Sequence, residues 1–195
     1  MASDDITARL VQGRECGSCT LCCRVLGIGE ILKPPGQDCP DCDVGKGCTI
    51  YERRPRTCKD FYCGFLVMKD LEEEWRPAIS KLILLFDGEE NRVRVHVDPD
   101  QPDAWRREPY YSKLKQWAVV AVPHRTQIIV RIGDHAFAML PDRDIDLGVL
   151  GDDDVIVTEE TETPGGVVLN VLKVSEDDPR AAALRRPSPW LVPGE

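Results

Sequence analysis

The residues at 92–97, Arg-Val-Arg-Val-His-Val, alternate polar and apolar with period two, which predicts a strand with Val93, Val95 and Val97 on one face. Upstream, 81–86 is a near-continuous apolar run, a second strand, joined to the first by the turn residues Asp87-Gly88-Glu89-Glu90-Asn91. Residues 103–122 carry Trp105, Tyr110, Leu114 and Trp117, and the part after Pro109 is predicted to be helical. Segments 127–132 and 135–140 flank Gly133-Asp134, a two-residue hairpin signal. Segments 154–159 and 167–174 flank Thr163-Pro-Gly-Gly166 and predict another hairpin. The chain before residue 75 reads differently. Gly, Pro and Cys punctuate it, and its predicted elements are short: a brief helix at 6–12, another at 21–28, and a turn of helix at 50–54 that Thr49 caps and Pro55 interrupts.

Charge divides at the same place. Of 25 Lys/Arg and 34 Asp/Glu, residues 1–70 hold ten of each, so the net charge of −9 resides entirely in 71–195. The two regimes predict two modules, 1–74 and 75–176, and a charged, Pro-rich tail at 177–195 that is expected to be mobile. An acidic chain lacks the dense Lys and Arg that phosphate backbones require, so nucleic acid is not an expected partner. The longest apolar runs, 117–122 and 82–86, are far short of the roughly 20 residues of a membrane span. Acidic residues follow Met1 and no apolar stretch succeeds them, which argues against a secretory signal and for a cytoplasmic protein.

All nine cysteines lie between Cys16 and Cys63. In a reducing compartment thiols persist or bind metal, and an odd count with a vicinal pair fits a disulfide framework poorly. The series runs Cys16-Gly-Ser-Cys19-Thr-Leu-Cys22-Cys23, then Cys39-Pro-Asp-Cys42, then Cys48, Cys58 and Cys63. Two residues between ligands let a tight turn aim both sulfurs at one ion. The pattern points to metal, and four-thiolate chemistry serves zinc and iron–sulfur clusters alike. Nine thiols would fill two such sites with one over, or one site with five others placed elsewhere. Cys22 and Cys23 form an awkward pair for one ion because neighbouring side chains tend to diverge; they would serve two adjacent centres, or one would support the other. Arg24, Arg53, Arg54, Arg56 and Lys59 are the cations nearest in sequence that would offset thiolate charge, though each is as readily a solvated surface residue. Too few large apolar residues lie in this segment for a core of its own, so metal would be its staple.

The pattern Cys16-x2-Cys19-x2-Cys22-Cys23, followed by Cys48-Thr-Ile-Tyr51-Glu-Arg-Arg-Pro55-Arg-Thr-Cys58-Lys-Asp-Phe61, resembles the CxxCxxCC (YkgJ-type) family of zinc- or iron-chelating cysteine-cluster proteins. The likeness covers residues 14–66. The family's usual cysteines correspond to Cys16, Cys19, Cys22, Cys23, Cys39, Cys48 and Cys58; Cys42 and Cys63 extend that set. The resemblance implies metal binding and leaves activity open. Cys16, Cys19, Cys48 and Cys58, in the best-matched segments, are the expected ligands, with Cys63 as the expected spare. Tyr51 and Phe61 are expected to cover the sulfurs, with a proton-donor role for Tyr51 a remote alternative.

Weaker signals carry bland readings. His96 shares a predicted face with Arg92 and Arg94 and is expected to be solvated; His124 and His135 have no ligand spacing, although a Cys–His catalytic partnership formed in space stays open. Asp142-Arg-Asp144-Ile-Asp146 resembles a calcium loop but has Leu147 where glycine is needed and Asp153 where a bidentate Glu belongs, so a solvated acidic edge explains it better. The sequence thus predicts an α+β protein: a small irregular cysteine-rich metal module followed by an antiparallel β-rich module with one main helix. Its expected cofactor is zinc or iron, the latter as an ion or an iron–sulfur cluster, bound by some or all of the nine cysteines. Two further readings stand beside it: an iron–sulfur oxidoreductase or electron-transfer protein, and an interaction adaptor whose metal only shapes a surface for a protein partner. No catalytic residue is assigned, and oligomeric state is left open.

Overall fold

The computed structural model describes residues 10–88, 90–164 and 166–181. Five strands form the central sheet in the order β3-β4-β5-β6-β7: β3 (Leu82–Asp87), β4 (Arg92–Val97), β5 (Gln127–Ile132), β6 (His135–Met139) and β7 (Asp144–Val149). The fold is α+β, with one main helix, α5 (Tyr110–Ala121). The sheet departs from the expected all-antiparallel pattern at one place: β4 and β5 run parallel, with Val95 opposite Val130. Parallel neighbours require a long crossover, and α5 supplies it. Strand β7 was not predicted. Its acidic residues alternate with Ile145 and Leu147, which cover the sheet's second face, so the acidic edge is a paired strand.

Apolar alternation explains both faces. Val95, Val97 and Val130 are fully buried on one face against Leu114 and Ala118 of α5, together with Trp105. Trp75 packs edge-on to Tyr110 at 5.0 Å and tilted on Trp117 at 5.3 Å, which fixes the start of the sheet module to the helix. On the other face Ile129, Ala136, Ala138 and Leu147 meet Ile156 and Val171 of the hairpin β8 (Asp154–Thr163) and β9 (Gly166–Ser175). This hairpin is longer than its predicted strands, and its turn is at the predicted place.

The cysteine-bearing segment is irregular, as expected. It contains α1 (Leu21–Val25), the two-residue pair β1 (Cys42–Asp43) and β2 (Gly47–Cys48), α2 (Arg56–Asp60), α3 (Gly64–Val67) and, at the seam, α4 (Pro77–Ser80). The predicted helix at 21–28 ends at Val25. Residues 50–54 hold only a 3₁₀ turn, Tyr51–Arg53, and Thr49 does not cap it: its hydroxyl donates to the Asp41 carbonyl at 3.0 Å instead. The helix expected at 6–12 falls on residues outside those described up to position 9, and Leu10 to Gln12 carry no helix. The tail beyond Ala181 is likewise outside the described residues.

Composition changes at Trp75, but burial does not. Leu21, Val25, Phe65 and Leu66 belong to the same buried cluster as Leu82, Leu84, Val95 and Trp105. The approach of α3 to β3 is so close that a Cβ on Gly64 would lie 2.7 Å from the Cβ of Leu84. Arg14 ties the segment to the seam by donating to the carbonyls of Phe65 (2.7 Å), Met68 (2.8 Å) and Leu71 (2.5 Å). Its guanidinium stacks 4.6 Å from the Phe65 ring centre, and that of Arg76 lies 4.7 Å from the same centre.

Candidate metal centre

The local turns follow from the residues. Gly17 adopts φ +50°, which lets the chain reverse so that the Cys19 amide donates to the Cys16 carbonyl at 2.9 Å. The next turn closes with the Cys23 amide on the Thr20 carbonyl, 3.0 Å, and starts α1 with the vicinal pair in its first turn. The amide of Cys39 then donates to the Cys23 carbonyl (3.1 Å) and that of Cys42 to the Cys39 carbonyl (3.0 Å). Pairing of β1 with β2 places Cys42 opposite Cys48. Cys58 sits in α2, whose leading amides, Arg56 and Thr57, donate to the carboxylate of Glu30 at 3.0 and 2.8 Å. These bonds hold the Glu30 carboxyl below its usual range.

All nine cysteines are thiols. Eight of them, all but Cys42, line one cavity of about 600 Å³ between the cysteine segment and the edge of the sheet at Ile83. Cys42 is joined to the group through Cys23, whose sulfur lies within hydrogen-bond reach of both Cys42 and Cys22. The vicinal side chains therefore do not diverge as the sequence led us to expect. Cys63, the expected spare, is buried beside Cys16 and Cys19 and is as much a part of the wall as they are.

Thiol acidity reflects this crowding. Proximity to the Cys22 sulfur, then burial, holds the Cys23 thiol well above its usual value. Burial pushes Cys42 up to about 12 and Cys63 up to about 11, and neighbouring sulfurs add to both shifts. Cys16 and Cys58 are raised by burial first, then by the sulfurs around them. Each thiolate placed here repels the next, and a cation among them would reverse the penalty.

Cations already border the cavity. Of the five anticipated from sequence, Arg54 reaches it, stacked 3.9 Å over the Tyr51 ring. Arg24 is engaged with Asp100 at 2.7 Å, Arg56 with Asp60 at 3.2 Å, and Arg53 and Lys59 are exposed. Sequence reasoning missed Arg14, Arg76 and Lys33. Lys33 is only 5% exposed, with its ammonium donating to the carbonyls of Arg24 (2.8 Å) and Leu26 (2.5 Å) close to Cys22, Cys23 and Cys39. Burial lowers its pKa and the neighbouring thiols oppose that shift. Phe61 and Tyr51 both line the cavity, as anticipated, and Tyr51 is half exposed.

The donor chemistry and the space suit a thiophilic metal, while the sulfurs are gathered around a cavity instead of a point: among the described residues, no three His, Cys, Asp or Glu side chains converge closely enough to hold an ion. The histidines are elsewhere. His135 bonds Asp146 at 2.6 Å, His124 is exposed, and His96 is half-buried with its pKa lowered to about 4 by burial and by Arg131 and Arg94, a correction to its expected solvation. The carboxylates of the calcium-like segment are also committed. Asp144 accepts from Lys115 (2.6 Å), Arg106 and Tyr111 (both 3.1 Å), and is not a solvated edge residue. Among the described residues no helix is long and apolar enough to cross a membrane. No family model matches the chain, and no curated protein or solved structure matches it.

Proposed function

We propose that this is a metal-binding protein that coordinates zinc or iron, the latter as an ion or an iron–sulfur cluster, through its cysteine cluster. The observation that carries the reading is that eight thiols from six separate stretches of the chain line one cavity, with the ninth in contact through Cys23. A cavity lined by eight thiols is poorly explained by packing alone, because inert buried cysteines have no reason to collect around one space.

Thiolates from this set would hold the metal. When bound, the metal would supply positive charge that replaces thiol protons and, in the case of iron, a redox couple. Arg14, Arg54, Arg76 and Lys33 moderate the negative charge that remains, and Phe61, Tyr51 and Ile83 limit water access. The resemblance to the CxxCxxCC family supports the same reading. Anaerobic purification followed by elemental analysis and a visible spectrum tests it: thiolate-bound zinc gives a colourless protein and an iron–sulfur cluster a brown one. A full-length, folded chain that takes up neither metal after reduction overturns the proposal.

A further inference from the structure

We propose that the thiols form two adjacent metal centres, one from Cys16, Cys19, Cys22 and Cys63 and the other from Cys39, Cys42, Cys48 and Cys58, with Cys23 at their junction. The inference rests on the metal-binding reading above and concerns how the donors divide.

Packing separates the donors into these groups. Cys63 is part of the main buried cluster, and Cys16, Cys19 and Cys22 are the cysteines packed against it. Cys39, Cys42, Cys48 and Cys58 lie outside that cluster. Backbone bonds join three of them, the Cys42 amide on the Cys39 carbonyl and Cys42 opposite Cys48 across the β1–β2 pair, and Cys58 lies near Cys39 and Cys48. Gly47, at φ +128°, belongs to the turn that makes this pairing, and a Cβ there would meet the Gly17 carbonyl at 3.3 Å. The two turns thus touch back to back, one from each group. The vicinal pair lies where the two groups meet, its sulfurs close to one another. Cys22 packs with the first group, whereas the Cys23 carbonyl and sulfur engage Cys39 and Cys42 of the second.

Size and charge agree with the division. A single ion holds four sulfurs on a sphere of about 2.3 Å radius, so the eight thiols that border the cavity are more than one ion can take. Four thiolates on one divalent ion leave two negative charges, and cations stand near both groups. Arg76 lies by Cys19, Arg54 lies by Cys16 and donates to the Cys58 carbonyl at 3.1 Å, and Lys33 lies by Cys39 and Cys22.

Titration of the reduced, metal-free full chain with Co²⁺ under nitrogen reads thiolate coordination as charge-transfer absorbance. The expected end point is about two Co²⁺ per chain, at four thiolates per ion. The paired variants Cys16→Ser/Cys19→Ser and Cys42→Ser/Cys48→Ser should each halve it. An end point near one in the unaltered chain, or complete loss of binding in either folded pair variant, overturns the two-centre assignment while leaving metal binding intact. Absence of any absorbance in the unaltered chain defeats the metal-binding reading itself. Should a pair variant fail to fold, alkylation of the Co²⁺-saturated unaltered chain decides: protection of both Cys63 and Cys42 is expected, and labelling of either overturns the proposal.

Discussion

Lys33 has no net-charge partner among its hydrogen bonds, yet it is almost completely enclosed, with its ammonium between two carbonyls and beside three thiols. Lys33→Met would remove the donor and leave the Arg24 and Leu26 carbonyls without it, at about 1–3 kcal/mol of folding stability. Denaturant unfolding of the metal-free chain measures that loss, and no change would mean that water replaces the ammonium fully. The thiols make a second residue-scale prediction. A thiol whose folded pKa exceeds its unfolded value stabilises the fold below the unfolded value and ceases to do so as pH rises through the folded one. For Cys63 that window runs from 9.0 to about 11, so the metal-free protein should lose stability steadily across it. Metal uptake displaces the same protons, so affinity should rise with pH in the range below the window. Calorimetric titration in buffers of different ionisation heat counts the protons released; a count of zero would mean that thiolates are not the ligands.

At the level of elements, two packing contacts are the most exposed to single changes. Gly64→Ala would drive a Cβ into the Cβ of Leu84 at 2.7 Å and against its carbonyl at 3.3 Å, and neither is the end of a flexible side chain. The expected cost is about 1–3 kcal/mol, visible as a lower denaturation midpoint with an unchanged slope. Asp144→Asn would weaken three bonds that join β7 to α5 and the 3₁₀ turn before it, again by about 1–3 kcal/mol. Elements with regular periodicity were legible in the sequence: β3, β4, α5, β5, β6 and the final hairpin all lie where alternation or turn residues placed them. Strand β7 was not legible because the acidic residues between and around Ile145 and Leu147 read equally well as a solvated edge. The parallel step between β4 and β5 has no signature in either strand; it follows from the crossover between them. The nine thiols were legible as a set. Arg14 and Arg76 were not, because Arg14 meets its carbonyl partners more than 50 residues away and neither arginine stands in a motif.

Across the whole molecule, the cysteine segment and the sheet share one buried cluster despite their different compositions. Metal removal should therefore be felt beyond the ligands. Amide exchange in the metal-free chain is expected to show loss of protection through residues 14–66 and also in β3, whose Leu84 backs onto Gly64, while β8 and β9 keep theirs. Loss confined to residues 14–66 would instead support a sheet module that folds alone. A fragment beginning at residue 75 separates the same alternatives: with Phe65, Leu66 and Leu21 gone, it should melt without cooperativity.

The cavity's wall is drawn from both sides of Trp75, and the order in which a ribosome delivers them differs for donors and wall. Every cysteine precedes residue 64, whereas Arg76, Pro77 and Ile83 line the cavity from beyond it. A nascent chain therefore carries its complete donor set while this side is still unmade. Metal acquired during synthesis meets thiols with that side open, whereas metal offered to the finished protein meets them with Arg76, Pro77 and Ile83 in place.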